Sequence, residues 1–217
     1  MPPHEGFEML NRRRFVASGI TAATVGLLSG TAARAALGDH PLDFEIPIYN
    51  LPESQLPRVV ELKEGFEPYE VHVDPDHFYL YWTLPNNTAM RYTVGIGMGS
   101  LYHPGDYYVA RKVEWPRWTP TPDMLIRQPE LYLPVKDGMP GGIDNPLGAR
   151  ALYLYTEEKG DSYLRIHGTN DPATIGGAVT NGCARLVNNQ IIDVYDRVPI
   201  GTRVLLNPKT GAGPAHS

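Results

Sequence analysis

Two residues near the C-terminal end of the chain have the types and spacing that nucleophilic catalysis needs. Cys183 is the single cysteine of 217 residues, and His167 precedes it with fifteen residues between them. A free thiol has a reference pKa near ~8.5, so only a few per cent is thiolate at neutral pH. Chemistry therefore requires a base within hydrogen-bond reach or cationic surroundings. His167 supplies the base if residues 168–182 fold back on themselves. Asn170-Asp-Pro172, Gly176-Gly177 and Asn181-Gly182 are the turn formers that allow it. Gly182 leaves the backbone uncovered, so the amides at 182 and 183 can point at a developing oxyanion. Arg185 is a fork-shaped donor able to hold a substrate carboxylate; the alternative is a salt bridge that pins the loop. A lone cysteine can also be an inert buried hydrophobe. The low bulk around it, the adjacent cation and an exported chain favour the reactive reading.

Strands must carry this pair. Glu70–Asp74 and Phe78–Trp82 alternate around Pro75-Asp76-His77, which predicts a hairpin. Ala89–Ile96, after the Asn86-Asn87 turn, predicts a third strand, and Tyr107–Val113 a fourth. Arg150–Tyr155 and Tyr163–Ile166 predict a second hairpin, so His167 leaves a rigid strand. Beyond the cysteine, Asn188 is placed as an N-cap, with Ile191, Val194, Tyr195 and Val198 on one face of a helix. Arg203–Leu206 gives a last strand. Between the strand pairs, residues 115–146 break the rhythm. Thr121 and Pro122 suit the N-cap and first position of a short helix, and prolines and glycines then prevent anything long. A loop of that length inside a compact domain is usually functional. His72 and His77 are read as surface or edge residues, and nothing near them has metal-ligand spacing.

The N-terminus reads as a targeting signal. Arg12-Arg13-Arg14 precede an uncharged run from Phe15 to Ala33, followed by the small-residue site Ala33-Arg34-Ala35. Paired arginines before a phenylalanine resemble a twin-arginine export signal, which implies a periplasmic protein with residues 1–35 removed. A retained membrane anchor is the alternative. Loss of those residues takes four arginines and two glutamates, and moves the formal charge from −5 to −7. An acidic mature chain is a poor candidate for nucleic-acid binding. Residues 36–65, with four prolines, are read as a linker or surface arm, 66–207 as the catalytic domain, and 208–217 as a flexible tail.

The stretch from His167 to Arg185 resembles the active-site signature of the L,D-transpeptidase catalytic domain, or YkuD domain. That signature reads as histidine, a mid-teens spacer, then Ser/Thr-x-Gly-Cys-x-Arg/Asn; here it ends in Thr180-Asn-Gly-Cys-Ala-Arg185. The similarity extends through Glu114–Thr121, Asn145–Leu154 and Ile192–Thr202. One departure concerns Asn181, where many members carry a histidine or serine; asparagine cannot titrate. The resemblance implies a mainly β fold of two packed sheets, one or two short helices and a lid over the active-site groove. It also implies a cysteine acyltransferase acting on peptidoglycan stem peptides, with Cys183 as nucleophile, His167 as base and Gly168 orienting it. Arg185 and Asn181 would contact substrate, and no cofactor or metal is implied. Chain order separates this from papain-like peptidases, where cysteine precedes histidine. Alternatives are a carboxypeptidase, an enzyme that anchors an envelope protein to the wall, and a peptidoglycan-binding module with a dead site.

Overall fold

The computed structural model describes residues 46–211, apart from 48 and 64. The export signal and most of the tail fall outside the described residues. Within them the chain is mainly β. Eleven strands form in order: β1 Arg58–Glu61, β2 Val71–Asp74, β3 Tyr79–Leu84, β4 Thr88–Thr93, β5 Ile96–Gly97 and β6 Gly105–Glu114; then β7 Arg150–Thr156, β8 Gly160–His167, β9 Ala178–Thr180, β10 Ala184–Arg185 and β11 Arg203–Leu206. Nine make one mixed sheet in the order β1-β4-β3-β2-β11-β6-β7-β8-β10, and β5 pairs with β9.

Hydrogen bonding makes the large sheet continuous, but it does not lie flat. Register shifts interrupt β6 against β7 near Val109 and β7 against β8 near Tyr153, and such bulges increase twist. The two ends then meet. Gly95, just past β4, exchanges backbone bonds of 2.9 and 2.8 Å with Arg185 of β10. Tyr92, Val73, Leu154 and Ile166, drawn from both halves, accordingly share one buried apolar cluster. The halves of a curled sheet face each other across that core, the layered arrangement expected of a β fold.

Both hairpins form where alternation placed them. At the first, Asp74 accepts from the amides of Asp76 and His77 at 3.0 and 3.2 Å, which turns the chain. Asn86 and Asn87 take φ of 63° and 51° between β3 and β4, a backbone that asparagine tolerates better than most residues. Three expectations change. Residues 36–65 are not linker throughout, because Arg58–Glu61 pair with the open edge of β4 as β1. His72 is not a surface residue: β2 is an interior strand between β3 and β11. It is 7% exposed, bonded to Glu70 at 3.1 Å and set edge-on to Phe66. In the tail, the backbone and hydroxyl of Thr210 are held by Asp76.

A fourth correction concerns the helix after the cysteine. It spans Asn188–Arg197 with Val187 at the N-cap and no side-chain cap bond. Packing holds it instead. Ile191, Val194 and Val198 are fully buried, at ~1.5–3 kcal/mol each, against ~1 kcal/mol for a cap. Asn188 is freed for a different task. Its Oδ1 accepts from the Ala149 and Thr169 amides at 2.9 and 3.2 Å, tying the start of β7 and the segment after His167 to the helix. Asn188→Ala leaves both buried donors unpaired, at roughly 1–3 kcal/mol each. We expect a loss of about 2–5 kcal/mol in denaturant unfolding; a loss below ~1 kcal/mol would mean that water or rearrangement satisfies both amides.

Candidate active site

The active-site side chains share a face by alternation. β10 pairs parallel with β8, matching Ala184 to Ile166 and Arg185 to His167. Ile166 and Ala184 enter the core. Their neighbours Arg165, His167, Cys183 and Arg185 line a cavity of about 480 Å³ on the other side. Fold-back of residues 168–182 has therefore set the thiol just ahead of β10 and the imidazole at the end of β8, as diagonal neighbours across that pair.

His167 is 3% exposed. Its Nδ1 lies 2.6 Å from the Gly168 carbonyl, an acceptor, so Nδ1 carries the proton and Nε2 is the basic nitrogen. Burial, then the positive charge of Arg185, hold its pKa down at about 3, against a smaller upward pull from Gly168. Cys183 is partly buried. Burial pushes its thiol up, while the Arg165 amide at the sulfur and the charges of Arg165 and Arg185 pull the other way. Both shifts favour the uncharged forms, thiol and neutral imidazole.

Thr180 shapes the loop that presents the thiol. Its hydroxyl donates to the Cys183 carbonyl at 2.7 Å and accepts from the Gly182 amide at 3.2 Å. The second bond corrects the oxyanion expectation, since the Gly182 amide is already used. The Cys183 amide is the donor that the loop leaves uncommitted among the described residues. Gly182 is needed for a different reason: its φ is +126°, and a Cβ there would sit 2.9 Å from both Leu101 O and Leu164 Cδ2.

Arg185 pins the loop by a hydrogen bond rather than the salt bridge considered above, donating to Thr174 Oγ1 at 3.1 Å. Its Nε is buried without a partner, so a donor stays available beside His167. Asn181 turns outward to the lid. Helix α1, Pro122–Arg127, is capped by Thr121, and α2, Pro129–Tyr132, follows it. Asn181 Oδ1 accepts from Arg127 at 2.6 Å, and its Nδ2 donates to the Tyr132 hydroxyl at 3.0 Å. Residues 54 and 49 positions away in sequence thus latch the lid to the nucleophile loop. Neither partner was legible beforehand. Arg165 was legible in principle, because it precedes His167 by two on a strand and so shares its face.

The YkuD family model, described as the L,D-transpeptidase catalytic domain, matches residues 68–206. This chain belongs to that family. The YkuD chain is 38% identical over 126 residues to the probable L,D-transpeptidase ErfK/SrfK of Escherichia coli K12, covering 57% of this chain and 39% of that protein. A putative L,D-transpeptidase from the ATP synthase subunits region of Fuscovulum blasticum is 29% identical over 91% of this chain and 97% of its own. A Brucella melitensis structure, named a probable carnitine operon oxidoreductase caia, is 42% identical, with a TM-score of 0.50 over 70% of this chain and 93% of that one. The chain spans about two fifths of the E. coli protein's length. Among the described residues no group of three or more His, Cys, Asp or Glu could hold a metal ion. Nor is any helix among them long and apolar enough to cross a membrane.

Proposed function

We propose that this YkuD protein is a periplasmic L,D-transpeptidase that forms 3→3 peptidoglycan cross-links through a thioester on Cys183. The observation that carries the reading is the shared cavity, which holds the lone thiol and a histidine whose Nδ1 is engaged by Gly168. Nε2 of His167 takes the thiol proton as sulfur attacks the L-centre carbonyl of diaminopimelate in a tetrapeptide stem. The same proton passes to the amine of D-alanine as the amide bond breaks, leaving the thioester. An amine of a second stem then attacks. Its proton returns through His167 to sulfur, and the cross-link leaves with the thiol restored. The Cys183 amide faces the oxyanion formed in both steps.

Water in place of the second stem would make a carboxypeptidase, and a protein amine would anchor an envelope protein to the wall. Export rests on Arg12-Arg13-Arg14 and the uncharged run after them. One experiment covers reaction and place. The chain is expressed in a bacterium lacking its own 3→3 cross-links, and sacculi are digested and analysed by mass spectrometry. New 3→3 dimers are expected. Changing the three arginines to lysine should remove them, while purified residues 36–217 still form dimers from tetrapeptide muropeptides. Dimers absent in both settings would refute transpeptidation, and dimers that survive the lysine changes would refute twin-arginine export.

A further inference from the structure

The wall of the active-site cavity has one sign of charge. Arg111, Arg117, Arg165 and Arg185 line it, and no aspartate or glutamate does, in a chain whose formal charge is −5. A cleft lined by like charges focuses their field and concentrates ligands of opposite sign. Three of these cations already have work. Arg117 donates to the Asp137 carbonyl in the lid, and Arg185 to Thr174. Arg165 is held by Asp161 through bonds of 2.7 and 2.9 Å.

Arg111 is different. It lies in register with Tyr153, which lies in register with Arg165, so a single row runs across β6, β7 and β8 to the cysteine. Both guanidinium groups stack on the Tyr153 ring, at 3.8 Å for Arg111 and 4.1 Å for Arg165. Two cations against one ring share a single carboxylate, Asp161, which is hydrogen-bonded to Arg165 and feels Arg111 only through its charge. Arg111 makes no hydrogen bond or ion pair with a described residue, and stacking leaves the edge donors of its guanidinium open. We propose that Arg111, backed by Tyr153 and Arg165, is a subsite for a free carboxylate on an acidic peptide donor. Strands lie about 4.8 Å apart, and the side chain leans one strand towards the thiol. The anion then sits roughly 10 Å from the reacting carbonyl, about three extended residues or one long side chain away. The inference rests on the transpeptidase reading and adds a substrate preference to it.

Two carboxylates of a stem peptide have that chemistry: the far carboxylate of diaminopimelate and the α-carboxylate of the γ-linked glutamate before it. The test uses Cys183→Ala protein, so that nothing turns over, and calorimetric titration with three tetrapeptides. One has both acids free, and each of the others carries one of the two as an amide. One amidation should weaken binding about 10- to 100-fold, the value of a charged hydrogen bond, and it identifies the acid that is read. Adding Arg111→Ala should cost the free peptide the same factor and the amidated one nothing further. Equal binding of all three, equal loss across all three in the Arg111 variant, or no binding at all overturns the subsite. Wild-type D-alanine release separates the two ideas: turnover without amide discrimination fails the subsite alone. Discrimination without turnover fails the transpeptidase reading alone.

Discussion

Replacing Cys183 by alanine is expected to end D-alanine release while leaving the fold in place. The sulfur is the sole thiol of the chain, and it lines the same cavity as His167, the base of the proposed reaction. Loss of a covalent nucleophile costs on the order of 10⁶-fold in turnover. The sulfur's one scaffold contact is the Arg165 amide, and the rest of the loop is held without it. Cys183 lies outside the apolar cluster, and its loop is held by Thr180 through main-chain atoms and by the β10–β8 pairing. The melting temperature should therefore move by no more than about 4 °C, the equivalent of ~1 kcal/mol or less. The wild-type thiol has a second signature. Burial raises its pKa, so alkylation by iodoacetamide should be slow at neutral pH and still rising beyond pH ~9. A carbapenem should add its mass to the wild type and not to the alanine variant. Turnover retained by that variant would sink the cysteine mechanism.

Period-two patterning made most of the sheet legible before the structure. β2, β3, β7, β8 and β11 were marked out by alternation and bounded by turn formers, and a half-buried strand advertises itself in that way. β1 was not, because its side chains are mostly exposed and its place is set by backbone bonds to β4. Backbone pairing leaves no side-chain pattern to read. The site divides along a similar line. Cys183 and His167 could be singled out from residue type, since few side chains can act as nucleophile or base. Asn188 was mistaken for a cap because the same amide suits both tasks, and only tertiary contact with Ala149 and Thr169 decides between them. The same holds for Gly182, whose amide reads as free in the sequence and is taken by the Thr180 hydroxyl in the fold. The latch between Asn181 and the lid joins residues distant in sequence. No local propensity encodes such a pair.

His167→Ala is expected to slow acylation by about 10²–10⁴-fold, the usual worth of general acid–base catalysis. The geometry makes this histidine hard to replace. Gly168 fixes its tautomer at 2.6 Å, and burial holds its pKa down at about 3. It therefore enters the reaction neutral across the range from pH 5 to 9, able to accept the proton that the raised thiol still carries. The acid limb of the acylation rate should then fall near pH 3, and the rate should not halve at pH 6.5, where an ordinary histidine titrates. Stability carries the same sign. On acidification the unfolded chain binds the proton first, near pH 6.5, so the folded state loses stability from there down to about 3. His167→Ala should lack that part of the acid sensitivity. Asn181→Ala is the control, because it breaks the lid latch without removing a titratable group. The latch is two hydrogen bonds, each worth roughly 0.5–1.5 kcal/mol net, so about ten- to a hundredfold at most is expected there. Single-turnover acylation, followed by the mass of the acyl-enzyme, keeps product release out of the comparison. If the asparagine variant proves as damaged as the histidine one, position 181 is a full catalytic partner and proton transfer is not the work of His167 alone.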